Sequence, residues 1–510
     1  MIALVLAALG CGGTDPHVEH PDEGMPPAPA AEAQRDIPVV ELRNDASRIV
    51  TLRILFDAGS ADDPAGKEGA TSLAARLQAE GGTRELTYTQ LVAKLFPMAG
   101  EVSVRVDRDQ TVFVGRVHRE KLDPFYELFH DVLLEPRMGE EDFNRLREEA
   151  RAALTLELRG NDDEELGKEA LQAALYEGHP YGHPAIGTET GLAATTVDDV
   201  RRQREAVLCR NRVSLGLAGG YPADFAARVK ADLEGLPASC APRADLPEVA
   251  APARARVVIV DKPEAASTAI SIGFPIAIDR SDEDFAALSL ATSYFGQHRQ
   301  FAGVLFKKMR AARGLNYGDY AYPEHFEQDG WGRFARPNVG RRRQHWSIWI
   351  RPIEPANAHF ALRQAIRELH ALARDALTPE AFQTTRGFLD RYVGLMEMTE
   401  SRRLGNLLDD RFYGLSSPHL QQLRARWQAM DAEVVRRVVR ERLSSTLVIA
   451  IVHKDARALA DALAADAASP ITYREPKGED ILAEDREIQA YPLRIARDAI
   501  RVVPVGEMFR

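Results

Sequence analysis

Cysteine is scarce: 510 residues contain three, Cys11, Cys209 and Cys240, with no Cys-x-x-Cys spacing. That excludes a structural zinc centre built on cysteines. Positive charge is outweighed, with 65 Lys and Arg against 76 Asp and Glu and a net charge of -11. Such a chain has no general attraction to nucleic acid or to anionic lipid. The one locally basic, aromatic stretch, "GRRRQHWSIWI" at 340–350, therefore reads as a turn followed by an alternating strand. Long apolar runs are also missing. The best candidate, Ile2 to Leu9, falls well short of the roughly 20 residues a membrane-spanning helix needs.

That short run has a different meaning. It ends in small residues and then Cys11. This is the form of a bacterial lipoprotein signal, cleaved before a cysteine that then carries lipid. No Lys or Arg precedes the run. On this reading residues 1–11 are a signal ending at Cys11, and the protein is exported to the periplasm or cell envelope, its membrane contact being the lipid anchor alone. Residues 12–36 hold five prolines and many acidic groups. They have too little apolar surface to fold and form a flexible tether. In an exported protein Cys209 and Cys240 are able to form one disulfide.

The rest is written twice. "VVELRNDASRIVTLRILFDAGSADD" (39–63) and "VVIVDKPEAASTAISIGFPIAIDRSDED" (257–284) share one order: strand, polar turn, strand, acidic loop. Each half later carries a capped helical pair and closes with a helix and a strand. Matching elements stay some 220 to 240 residues apart, and the drift fits an insertion around 323–343. The fold class is α+β: two duplicated domains, each a mainly antiparallel sheet with helices packed on one face, forming a cleft or chamber. The expected boundaries are 37–240 for the first domain, 241–255 for a Pro- and Ala-rich linker, and 256–510 for the second.

Four segments in this order, "FDAGSADDPAGKEGATSLAARLQAEGGT", "MAGEVSVRVDRDQTVF", "EGHPYGHPAIGT" and "LFKKMRAARGLNYGDYA", carry a resemblance. The chain resembles the pitrilysin/insulinase family of zinc metallopeptidases, in its processing-peptidase-like branch, over about residues 36–475. In active members the segment matching Gly69 to Leu77 carries His-x-x-Glu-His. Two histidines one helical turn apart bind zinc, and the glutamate acts as base on the metal-bound water. A third ligand, a glutamate, follows on another helix.

Aligned by its flanks, this chain has Ser72, Ala75 and Arg76 at the His, Glu and His positions. Serine is a poor zinc ligand, alanine has no basic group, and arginine is permanently protonated and offers no lone pair. The distal glutamate position is assigned to Glu157, with a salt bridge from Arg76 to Glu157 as one outcome and an Arg76 facing the solvated cleft as the other. The helix itself keeps its apolar stripe, Ala70, Leu73, Ala74 and Leu77. No metal and no catalytic residue is expected in this chain.

The resemblance also assigns Arg310 and Tyr317 as a pair that contacts substrate and its oxyanion. Taken without it, Arg310 and Arg313 are cations in a last helical turn, capped by Gly314, and Tyr317 is a core residue of a strand. Other candidates carry less. His179 and His183 have helical spacing, but the prolines and Gly182 between and around them forbid a regular helix. His17 and His20 lie in the tether. Glu324 and His325 read as part of a solvated loop.

The resemblance implies a zinc-less subunit that partners a zinc-bearing sibling in hydrolysing peptides. The alternative from another class is a non-enzymatic peptide-binding or scaffold lipoprotein of the cell envelope.

Overall fold

Five strands make the first sheet: β1 (Val39–Arg43), β2 (Ile49–Phe56), β3 (Glu101–Val106), β4 (Thr111–His118) and β5 (Val213–Gly219). Their spatial order is β1-β5-β2-β4-β3. The second sheet has β6 (Arg256–Asp261), β7 (Thr268–Ile276), β8 (Gly318–Tyr322), β9 (Gln344–Ile353), β10 (Val448–His453) and β11 (Ile500–Pro504). Its order is β11-β6-β10-β7-β9-β8. Adding five to each strand number of the first sheet reproduces the second, with β11 appended at the edge, so the duplication read from the sequence is a duplication of topology. Both sheets are mainly antiparallel. The parallel pairs are β1 with β5, β6 with β10, and β11 with β6.

The computed structural model describes residues 36–510 apart from Trp331, Ser444, Ser445 and Arg474. The expected signal, Cys11, the histidines of the tether and nearly all of the tether lie outside the described residues.

Each sheet packs its own helices on one face. In the first half these include Ala70–Glu80 and Leu122–Leu134, which place Ala75, Ala79, Phe125 and Phe129 against Leu52, Ile54 and Phe113. In the second half Phe285–Gly296 and Ala358–Asp375 do the same against Ile270, Ile272 and Ile348. The opposite faces are covered by exchange. Helix Asp163–Leu175, from the first half, lays Leu166, Ala170 and Leu171 on Val258, Ala269 and Ala450 of the second sheet. Helix Glu400–Phe412, from the second half, lays Leu404 and Leu408 on Leu55, Val112 and Ala218 of the first. These are equivalent helices, and each begins its buried stripe with the same dipeptide, Leu166-Gly167 and Leu404-Gly405.

A second tie is polar. The segment between β8 and β9, residues 323–343, stands where the first half has only the short turn 107–110 between β3 and β4. It crosses to that turn. Arg341, fully buried, makes a bidentate pair with Asp107 at 3.0 and 2.9 Å. Arg342 pairs with Asp109, and Arg53 of β2 donates to Asn338 at 2.7 Å. The basic run 340–343 thus serves as a strut between the halves. Glu324 and His325 correct the expectation of a solvated loop: Glu324 is mostly buried in a bidentate pair with Arg280, and His325 Nε2 meets Arg341 at 2.9 Å. Their arginine partners pull them inward, because a buried guanidinium needs a counter-group.

Residues 241–255 form no helix or strand. Cys209 and Cys240 are joined by a disulfide, Cα to Cα 5.8 Å, fastening the approach to β5 to the start of this linker. Asn211 adds two hydrogen bonds to the Cys240 backbone. The bridge closes a loop with a sequence separation of 31. Replacing both cysteines with serine is expected to lower unfolding stability by about 3–4 kcal/mol through loop entropy, measured by urea denaturation under non-reducing conditions.

Candidate functional site

The motif helix Ala70–Glu80 starts at Gly69, whose φ of 106° is left-handed. A Cβ there would lie 2.7 Å from the Ile186 carbonyl oxygen, so glycine is required. Its first amides are capped from upstream: Asp63 accepts from Gly69 N–H and Thr71 N–H, both at 2.7 Å. Burial raises the Asp63 carboxyl to about 7, against the pull of these amides. The apolar stripe Ala70, Leu73, Ala74 and Leu77 is buried, and Ala75 is fully enclosed in the core of the first sheet. Ser72, Arg76 and Glu80 share the half-exposed face, as spacing of one turn requires.

On that face Arg76 is spent. Its Nε and Nη2 donate to Glu80 at 3.2 and 2.9 Å, and Nη2 also donates to Glu149 at 2.7 Å. Glu149 lies on helix Glu140–Ala152 and accepts from Arg145 at 3.0 Å through its other oxygen. Arg145 closes the ring by donating to the Glu80 carbonyl at 2.7 Å. Burial opposes the Arg76 charge, but the two carboxylates outweigh it and hold its pKa above the ordinary value. Glu149 is held below its ordinary value by Arg76 and Arg145, against the cost of partial burial.

Glu157 has no part in this. It is exposed, on the π-helical stretch Ala153–Asn161 that continues the Glu149 helix. The alternative of an Arg76–Glu157 salt bridge is therefore replaced by Arg76–Glu149. Sequence distance placed a glutamate on the right helix but two turns too far along.

Zinc does not fit these positions. The Arg76 guanidinium is bound by two carboxylates and offers no lone pair, Ala75 offers no donor, and Ser72 alone does not hold a metal. Among the described residues no group of three His, Cys, Asp or Glu is placed to hold a metal ion. His179 and His183 sit in the turn after Tyr176 with separate backbone partners: His179 Nδ1 accepts from Tyr181 N–H at 3.0 Å, and His183 Nδ1 lies 2.9 Å from the Pro184 carbonyl.

The second constellation is brought together. Arg310 lies on the π-helical turn Phe306–Ala311, and Gly314 caps it with a φ of 67°. The Arg310 guanidinium stands 4.3 Å from the Tyr317 ring centroid and donates to the Tyr317 carbonyl at 2.9 Å. The Phe306 and Phe301 rings flank it at 5.4 and 5.9 Å. Tyr317 is 60% exposed, so it is not a core strand residue. Arg313, by contrast, is buried and fully paired with Glu484 and Asp485. Sequence reading missed Asp319 of β8, buried near Arg310. Burial raises its carboxyl to about 7, while Asn316 and Arg310 pull the other way. Only its place two residues after Tyr317 hinted at it.

The doubled sheet topology and the capped motif helix define an α+β fold of two duplicated halves. Residues 39–189 match the model of the family described as Insulinase (Peptidase family M16). Over that segment the chain is similar to this family. It is 20% identical over 423 residues to an uncharacterized zinc protease of Bacillus subtilis, YmxG, covering 82% of this chain and 96% of that one. A zinc protease of Streptomyces coelicolor is 25% identical over 65% of this chain and 69% of its own length. Among solved structures, the peptidase M16 inactive domain from Pseudomonas fluorescens superimposes with a TM-score of 0.72 at 20% identity, over 82% of this chain and 96% of that one. A protease from Helicobacter pylori gives 0.67 at 14% identity, over 82% and 97%.

Proposed function

We propose that this chain is the zinc-less partner of a zinc-bearing sibling in a peptide-hydrolysing pair, carried in the cell envelope by lipid on Cys11. The sibling supplies metal and general base. This chain supplies substrate-binding residues, Arg310 and Tyr317. The observation that carries the reading is a contrast. The Arg76 guanidinium is consumed by Glu80 and Glu149, whereas Arg310 and the exposed Tyr317 remain stacked beside each other with the phenol free to reach a peptide. The similar Pseudomonas fluorescens structure, described as an inactive domain, supports a non-catalytic role for such a chain.

The mechanism asked of the pair is electrostatic. A cationic donor and a phenol aimed at a carbonyl that gains negative charge stabilise the tetrahedral state. Losing one such donor costs about 10²–10³ in kcat. Arg310→Ala is accordingly expected to lower the activity of the reconstituted pair by that factor, with zinc bound to the sibling unchanged. The assay is peptide cleavage by the mixed subunits, alongside metal content of each subunit alone. Cleavage by this chain alone, abolished by a zinc chelator, would sink the reading.

A second reading, a peptide-binding or scaffold lipoprotein, is favoured by one contact: Arg310 already spends Nη1 on its own chain. Unchanged activity of the pair after Arg310→Ala and Tyr317→Phe selects that reading.

A further inference from the structure

A half-open pocket of about 160 Å³ in the second half has no part in the reading above. It lies between helices Phe285–Gly296, Glu400–Phe412 and His419–Ala429 and the first residues after β8. A dry cavity of about 150 Å³ holds a benzene-sized molecule. Its walls are suited to such a guest: Phe285, Phe326, Phe334, Leu423 and Trp427.

The polar groups at its edge are unequal. Arg280 is committed to Glu324, and Arg402 to Asp329 at 2.6 Å and the Ala335 carbonyl at 2.9 Å. Asp410 is not committed. It is 5% exposed, its Oδ2 accepts from His419 N–H at 3.1 Å, and its Oδ1 has no hydrogen-bond partner. His298, 3% exposed, has Nδ1 at 2.6 Å from the Tyr322 hydroxyl. Its Nε2 makes no hydrogen bond of normal geometry, although the Gln328 side chain is close enough to bias its charge. Burial, then Arg299, Lys168 and Arg351, lower the His298 pKa to about 3, so the imidazole is neutral and does not repel a cation. A buried carboxylate oxygen without a donor is a costly vacancy in the hydrogen-bond network. An occupant that brings an N–H donor and an apolar body satisfies both features at once.

We propose that this pocket binds a small primary amine with a compact apolar body, its ammonium donating to Asp410 Oδ1 and its body lying against Trp427 and Phe285. Charge-assisted donation to a carboxylate is about twice as strong as a neutral bond. Aromatic faces add attraction for the cation. The proposal is independent of whether the chain serves as a peptidase subunit.

The test uses the full chain with benzylamine and the isosteric benzyl alcohol, titrated by calorimetry. Benzylamine is expected to bind saturably at one site, at least tenfold more tightly than the alcohol. Asp410→Asn is expected to erase that preference while leaving alcohol binding unchanged. Ser289→Leu, which narrows the pocket from helix Phe285–Gly296, is expected to abolish binding of both and serves where the Asp410 variant fails to fold. Equal affinity for the two ligands, an undiminished preference in Asp410→Asn, undiminished binding in Ser289→Leu, or no saturable binding of benzylamine to the unaltered chain overturns the proposal.

Discussion

Arg341→Met is expected to destabilise the protein by about 3–5 kcal/mol, the range for breaking a buried ion pair by removing one partner. Arg341 is 0% exposed and is the main counter-charge of Asp107, itself 5% exposed. Methionine fills much of the volume but leaves the carboxylate in a low-dielectric site, with Arg108 at 3.8 Å and the more distant Arg105 as cationic neighbours. The double variant Arg341→Met, Asp107→Leu should recover most of the loss, because it removes the orphaned charge as well. The pH dependence follows from linkage. Burial alone would raise the Asp107 pKa, but Arg341 and then Arg108 hold it below the ordinary 3.8. A depressed folded-state value adds stability that is present above pH 3.8 and lost as pH falls through the folded value. In Arg341→Met that acid-side loss shrinks, so the gap between variant and parent narrows below about pH 4. Urea denaturation at pH 7 and pH 3.5 checks both statements. A loss under 1 kcal/mol at pH 7 would refute the assignment of the 340–343 run as a strut.

The second large effect concerns the exchanged helices. Leu408 is fully buried over Gly216 of β5, where a Cβ would lie 2.8 Å from its Cδ1. Leu171, 1% exposed, lies over Gly273 of β7 in the same manner, at 3.3 Å. Each glycine leaves room for the leucine that crosses from the other half. Leu408→Ala and Leu171→Ala are each expected to cost about 2–5 kcal/mol, the range for emptying a core leucine site. The two leucines belong to separate apolar clusters. Their losses should therefore add within about 0.5 kcal/mol. Denaturation curves of the single and double variants measure this. A drop in the slope with urea would mean instead that one half unfolds by itself.

Local features were legible in the sequence, and long-range partnerships were not. The stripe Ala70, Leu73, Ala74 and Leu77 shows a 3.6-residue period, and those four residues are buried. The duplication was visible because corresponding strands keep their alternation and spacing. Leu166 and Leu171 announced a helix that must bury one face, but nothing in their pattern said which sheet receives it. Both sheets present apolar residues on the faces that receive the exchanged helices. Glu149 was missed for a related reason. Distance along the chain selects a helix, whereas the angle around it selects which glutamate meets Arg76, and a π-helical stretch follows directly. Glu324 and His325 looked solvated because their partners Arg280 and Arg341 are 44 and 16 residues away. Polar residues buried by remote counter-charges carry no local signature.

The reciprocal helices also set a timetable for synthesis. β5 completes the first sheet at Gly219, but the helix that covers its second face ends at Phe412. At 5–20 residues per second the ribosome needs about 10–40 s to make the intervening chain. Throughout that interval Leu55, Val112 and Ala218 face outward without their lid. A translational pause inside the second half would lengthen the time in which that uncovered face can aggregate.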